Sequence, residues 1–254
     1  DLPHIHETED DALPLQNWLL FADRYGLASW LAIRLNSMGH TVNVVQLDDV
    51  TTPLEGGVCT LSPRDEAGYS ALFERLHSLG QVPDRIVHLW NVGGDDTQNH
   101  APSDVAAVLD VSFYSLLHIA QGLMHWSGGK KVQLDVVATG LHDVTGVELL
   151  TPAKAALLGP CLVIPEELPQ VTCRSIDIVL TAGIVTPRVE ALVWAELLHT
   201  KVDTTVLALR GQHRWAHGYE EMPLAPVTRT PRLLRPGGVY LITGGLGGIG
   251  LALA

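Results

Sequence analysis

The chain has 254 residues, 46% of them hydrophobic and 17% charged, which supplies a large core and argues against disorder. With 28 acidic against 16 basic residues the formal net charge is −12, and no run of Lys or Arg offsets it, so sequence-independent binding to nucleic acid or to an anionic membrane is disfavoured. Cys59, Cys161 and Cys173 are odd in number, lack metal-ligand spacing and follow no secretory signal, which points to a reducing cytoplasm.

Strand and helix signals then alternate along the chain. After an N-terminal linker over 1–14, Trp18–Phe21 reads as a buried strand. Leu27–Met38 reads as a helix stopped by Gly39, and Thr41–Val45 as a β-branched strand. Tyr69, Leu72, Phe73 and Leu76 fall at helical spacing within Glu66–Leu79, which Gly80 closes, and Arg85–Trp90 is the next strand. The longest helix starts at Pro102-Ser103-Asp104 and lines up Val105, Val108, Leu109, Ser112, Leu116, Ile119, Ala120 and Leu123 on one face. Strands follow at Lys131–Ala138, Ser175–Leu180 and Thr205–Leu209, with a helix near Arg188–His199 between the last two. This order predicts an α/β fold with a doubly wound, mostly parallel Rossmann-like sheet over 15–219. The four prolines between Glu220 and Gly238 mark a linker.

Beyond the linker, Val239–Thr243 reads as the first strand of a second Rossmann fold, and a glycine loop follows it at once. Lacking its sheet neighbours, that strand is expected to be disordered or to pair with a sheet edge or another molecule. Thr243, Gly244, Gly245, Leu246, Gly247, Gly248, Ile249 and Gly250 form a candidate dinucleotide-binding loop. Glycines there let the backbone turn tightly, bring amides close to a pyrophosphate and allow the next helix to pack close. Pro236–Ala254 carries no charge, but it is short for a membrane span and holds seven glycines, so a membrane tail is disfavoured.

The same local pattern occurs near the start. Trp18-Leu19-Leu20-Phe21 aligns with Tyr240-Leu241-Ile242-Thr243, and Gly26–Ala32 with Gly248–Ala254, at a constant offset of 222. In the first copy Ala22, Asp23, Tyr25 and Ala28 replace Gly244, Gly245, Gly247 and Gly250. Side chains there block close approach, Tyr25 fills space near the turn, and Asp23 puts negative charge where a pyrophosphate would sit. The first copy is expected to keep the shape of a nucleotide fold, and the second to keep the cofactor.

Other chemistry is sparse. None of the five tyrosines has a lysine four residues later, and there is no Gly-x-Ser-x-Gly elbow, Walker loop or His-Glu-x-x-His helix. His4-x-His6 and His213-x-x-x-His217 lack a third ligand, so no metal site is expected. His118 and His125 are expected to edge the buried face of the long helix. Asp95-Asp96, after Gly93-Gly94, is a carboxylate pair at a strand end, open to acid and base work but more often a solvated turn. No catalytic residue is assigned.

An ordered set of segments resembles a known family: Trp18-Leu19-Leu20-Phe21-Ala22-Asp23, His88-Leu89-Trp90, Phe113–Leu117, Thr145-Gly146, Pro152 with Ala155–Pro160, Val163–Glu167 with Pro169, Cys173–Asp177, Ala208-Leu209-Arg210, and the loop Thr243–Gly250. Over residues 15–254 the chain is similar to the ketoreductase region of modular polyketide synthases. The resemblance implies an N-terminal structural subdomain without cofactor, followed by the opening of a catalytic subdomain. It implies NADPH-dependent reduction of a β-ketoacyl group on an acyl carrier protein by the parent synthase, with the family's Tyr, Ser and Lys beyond residue 254. It also implies partners in the catalytic subdomain, the acyl carrier protein and other domains of the module, and no NADPH bound by residues 1–254 alone. Two other readings stay open: a pseudo-ketoreductase scaffold that organises a neighbouring domain such as a methyltransferase, and a stand-alone nucleotide-binding protein.

Overall fold

The computed structural model describes residues 14–93, 102–181, 183–198, 204–223 and 235–254, with 102–104 as backbone alone. The chain divides into two compact units, Asp1–His217 and Gly218–Ala254.

The larger unit is built on one sheet of eight strands: β1 (Asn17–Ala22), β2 (Thr41–Leu47), β3 (Val58–Leu61), β4 (Arg85–Asn91), β5 (Val132–Thr139), β6 (Val171–Ile178), β7 (Val206–Arg210) and β8 (His213–Ala216). Their order is β3-β2-β1-β4-β5-β6-β7-β8. The first seven run parallel, and β8 pairs antiparallel with β7 across a two-residue turn. The direction of winding reverses between β1 and β4, so the C-terminal ends of these two strands form the switch point where such sheets bind ligands. This architecture is the doubly wound, mostly parallel α/β sheet that the alternating pattern predicts.

Alternation along the strands sorts the core into two layers. Leu19 and Phe21 of β1 face one side of the sheet, with α2 (Glu66–Ser78), α4 (Ser115–Trp126) and α5 (Leu158–Glu167) packed over them through Phe73, Leu76, Leu116, Ile119, Leu123 and Ile164. Trp18 and Leu20 face the other side, under α1 (Leu27–Ser37) and α6 (Pro187–Leu198), through Leu31, Leu35, Val193 and Leu197. Cover on both faces is why all seven residues of β4 are buried, the polar Arg85, His88 and Asn91 included.

The long helix is not uniform. It consists of α3 (Pro102–Leu109), one wide turn of π-helix at Asp110–Tyr114 and then α4. Val105–Trp126 is long and apolar enough to cross a membrane by composition, yet its Leu116, Ile119 and Leu123 are core residues of the sheet layer.

Several elements lie outside the sequence reading or depart from it. The short strand β3 and the hairpin strand β8 have too few residues for a period to show. The 3-10 turn Pro152–Leu157 and α5 are masked in sequence by Gly159, Pro160 and Pro165; Pro160 stands in the first turn of α5, where no N–H is needed, and Pro165 in its last. Strand β6 starts at Val171, four residues before Ser175, because Val171 registers with Val132 at the start of β5.

The second unit corrects a larger expectation. No strand forms at Val239–Thr243. Val239 and Leu241 are 100% and 93% exposed. An apolar parallel strand draws its stability from ladders on both edges, and without neighbours to accept its N–H and C=O groups the extended run has nothing to hold it in a sheet. Of the 220–238 linker, positions 224–234 lie outside the described residues.

Candidate functional site

Two loops carry the chemistry, and they differ as their sequences differ. In the second unit, Gly244 takes a φ of 69°, Gly245 N–H donates to Ile242 O at 3.2 Å, and Gly247 N–H donates to Gly244 O at 2.9 Å. The helix α7 (Gly248–Leu253) follows at once, so the loop delivers the chain directly into a helical N-terminus. Gly250 is buried against the loop: a Cβ there would fall 2.5 Å from Gly244 O and 2.5 Å from Gly245 Cα. That contact is the physical reason for glycine at 250, the close helix packing inferred from sequence. Leu246 and Ile249 point outward and are exposed, while Thr243 opens the turn and Gly248 begins the helix. The tight glycine turn of Thr243–Gly250 is the kind of turn that a pyrophosphate cradle uses.

The first unit does not fit one. Its corresponding loop lies at the end of β1, at the switch point, and the Asp23 carboxylate accepts hydrogen bonds from three backbone amides: Tyr25 at 2.8 Å, Leu27 at 3.2 Å and Ala28 at 2.7 Å. Leu27 and Ala28 open α1, so their N–H groups are among its orphan donors, and the positive helix end favours the anion placed there. The side chain thus takes the donors that a phosphate would need. Tyr25 closes the space beside it: a Cβ on Gly93, at the end of β4, would meet the Tyr25 ring at 2.0 Å. Both features agree with the reading of Asp23 and Tyr25 in sequence.

Next to this closed loop, an open cleft of about 690 Å³ lies over the C-terminal ends of β5, β6 and β7. Its walls include Tyr25, Val147, Leu149, Ile178 and Trp215, with Thr139, Glu148, Arg210 and His213 as polar members. Arg210 is held by Glu148 at 2.8 Å and Asp177 at 2.5 Å, and donates to His142 O at 2.9 Å. Asp177 also accepts from the amides of Leu141 and His142, so this ion cluster anchors the 140–151 loop that forms one wall. Lys154 is buried, with Nζ donating to Gly93 O at 2.6 Å and to Thr139 Oγ1 at 3.1 Å, which ties the ends of β4 and β5 together. These charged groups are engaged in holding backbone, an arrangement suited to rigidity rather than to proton transfer.

Sequence reasoning missed this cluster because its members, Thr139, Glu148, Lys154, Asp177 and Arg210, are scattered along the chain. The one local signal is Lys154, a charge within the otherwise apolar run Pro152–Leu158. The remaining sequence candidates do not assemble. Asp95-Asp96 and His4-x-His6 lie outside the described residues. His213 and His217 are exposed, and among the described residues no three His, Cys, Asp or Glu side chains come together to hold a metal. His118 lies half-buried beside Tyr69, ring centroids 5.1 Å apart, and His125 is exposed.

The family model for beta-ketoacyl synthase-like, N-terminal, matches residues 17–194. The chain belongs to this family. Among curated relatives of this beta-ketoacyl synthase-like chain, a phenolphthiocerol/phthiocerol polyketide synthase of Mycobacterium tuberculosis is 28% identical over 200 residues, covering 78% of this chain and 10% of that protein. Its counterpart from Mycobacterium bovis matches equally well, and the chain spans about a tenth of the length of either relative. Among solved structures, a keto acid-selecting NRPS module with adenylation, ketoreductase and pseudo Asub domains superposes with a TM-score of 0.76 at 26% identity, covering 96% of this chain and 20% of that one. An N-terminal ketoreductase from the macrolactin assembly line superposes at 0.68 with 18% identity, covering 93% and 45%. A short-chain dehydrogenase from Burkholderia cenocepacia in complex with NADP shares the fold at 0.56 and 14% identity, over 76% of this chain and 87% of that one. These matches bear out the resemblance to the ketoreductase region of modular polyketide synthases, and place this family member among ketoreductase-like domains of synthases.

Proposed function

We propose that residues 15–219 act as the non-catalytic structural subdomain of a polyketide-synthase ketoreductase, and that residues 239–254 open its NADPH-binding catalytic half. The observation that carries this reading is the Asp23 carboxylate seated on the amides of Tyr25, Leu27 and Ala28, because it occupies with the chain's own charge the donors a dinucleotide would use. A subdomain kept for support should also offer apolar surface to its partner. Tyr114, Leu117 and Met124 on the long helix and Leu162 and Val163 on α5 are all at least 41% exposed, and burial of such surface is worth about 25 cal/mol per Å².

In the parent synthase, NADPH would supply hydride for reduction of a β-ketoacyl group carried on an acyl carrier protein. Of this chain, Thr243–Gly250 would hold the cofactor's pyrophosphate through backbone amides, and residues 15–219 would hold the fold around it. Other domains of the synthase module are the expected partners.

The test is calorimetric titration of NADPH into the purified chain, once circular dichroism shows that it is folded. The expected result is no binding, since six residues of α7 supply one short helix end and no ribose contact. Binding at about micromolar affinity or better would overturn the assignment and mean that a complete cofactor site is present.

A further inference from the structure

Beneath the end of β4, three polar atoms are buried without hydrogen-bond partners among the described residues: His88 Nδ1, Trp90 Nε1 and Asn91 Oδ1. Their residues are 0%, 7% and 1% exposed. His88 and Trp90 project from β4 toward the α2 and α4 layer, with ring centroids 5.4 Å apart, and Phe21 touches both, at 5.2 Å and 5.1 Å. The β4–β5 ladder loses its register between His88 and Asn91, which turns Asn91 to the same layer, where its Nδ2 donates to Val111 O at 3.2 Å.

The hydrogen-bonding roles of the three atoms follow from their neighbours. Ser115 Oγ lies 2.6 Å from Val111 O, a separation at which the hydroxyl hydrogen is committed to that carbonyl. The 3.1 Å contact between Ser115 Oγ and His88 Nε2 must then be donated by the histidine. In the Nε2–H tautomer that this arrangement favours, Nδ1 is left as a lone-pair acceptor. Asn91 uses its amide nitrogen on Val111, so its Oδ1 is an acceptor too, and the Trp90 indole can only donate. The wide π-turn at 110–114 makes this possible by leaving the Val111 carbonyl open to two side chains.

One donor and two acceptors is the complement of a single water molecule, which accepts once and donates twice. We propose that a structural water is bound here, accepting from Trp90 Nε1–H and donating to His88 Nδ1 and Asn91 Oδ1. Three such bonds are the usual complement of a buried water, and three bare polar groups in the core would each forfeit the hydrogen bond that water gives them in the unfolded chain. The water would stitch the register break of β4 to the π-turn of the long helix, and so set where the Gly93 end of β4 meets the Tyr25 loop.

A high-resolution crystal structure of the wild-type chain tests this directly. The expected result is density for one ordered water within hydrogen-bond distance of all three atoms. Density showing a dry contact, or a side chain bonded to Trp90 Nε1 or His88 Nδ1, would overturn it. In solution, ¹⁵N-edited spectra should show a water cross-peak on the Trp90 indole N–H, identified by its disappearance in Trp90→Phe. If Trp90→Phe does not fold, His88→Gln in the same spectra supplies the assignment through the shift of the neighbouring indole; a protected Trp90 indole with no water cross-peak would equally overturn the proposal.

Discussion

Tyr25 lies so close over Gly93 that a single added Cβ at 93 would sit 2.0 Å from the Tyr25 ring, and Gly93 holds a φ of 79°. The loop after β1 and the end of β4 are thereby locked together at the switch point of the sheet. Gly93→Ala should cost about 2–4 kcal/mol, combining overpacking with a backbone conformation that a side chain disfavours. Adding Tyr25→Ala should recover the packing part but not the backbone part. Urea midpoints of the two single variants and the double variant measure this, and full recovery would mean that the backbone contributes nothing.

Asp23 serves the start of α1 as a cap placed three residues before Gly26. Asp23→Ala should lower stability by about 1–2 kcal/mol, and Asp23→Asn by less, because the amide keeps an acceptor but not the charge. Chemical denaturation of the three proteins separates these contributions; equal losses would show that charge plays no part.

Arg174 is fully buried, bonded to Asp135 of β5, to Glu196 Oε1 of α6 at 2.7 Å, and to the Glu196 carbonyl at 2.8 Å. Removing it leaves two carboxylates in the core with Arg85 at 3.9 Å and Arg214 at 2.8 Å as their remaining counter-ions. Arg174→Leu should cost about 3–5 kcal/mol, whereas exposed Arg64→Leu, whose pair with Asp110 lies at the surface, should cost no more than about 1 kcal/mol. Thermal or urea unfolding checks both, and similar losses would contradict the distinction.

Two buried histidines set an acid limit. His40 accepts from Gln16 N–H at 3.1 Å, and burial, with the Arg85 charge second, holds its pKa below the ordinary 6.5. Burial pushes His88 down to about 3. Both bind a proton more readily when unfolded, so their contribution is complete above about pH 6.5 and is lost as the pH falls through the folded values. Stability should therefore decline between about pH 7 and pH 5, a window above most carboxylate titrations, and the slope should be shallower in His40→Asn. Urea midpoints across that range give the slope; a flat profile would show that neither ring is neutral and buried in the native state.

How much of this was legible beforehand differs from element to element. Helices such as Leu27–Ser37 and Glu66–Ser78 could be placed within a residue or two, because their apolar spacing and the following Gly39 and Gly80 are local signals. The replacement of Gly245 by Asp23 was likewise readable, since the loop's requirement for glycine is steric and its preference for an anion is electrostatic. Strands β3 and β8 were not, because four residues carry no measurable period, even though β8 folds straight back on β7.

The chain's own order of residues determined the alternation of helix and strand, the two-faced core, and the contrast between a self-filled first loop and a glycine-lined second one, all of which depend on side chains within a few positions of each other. Tertiary structure alone decided that Val239–Thr243 stays out of a sheet, that Lys154 and Arg210 spend their charge on backbone and carboxylates, and that His88, Trp90 and Asn91 meet beneath β4. The reason is physical: hydrogen-bond ladders and buried charges draw their energy from partners that only folding brings within reach, so their outcome is written in contacts and not in spacing.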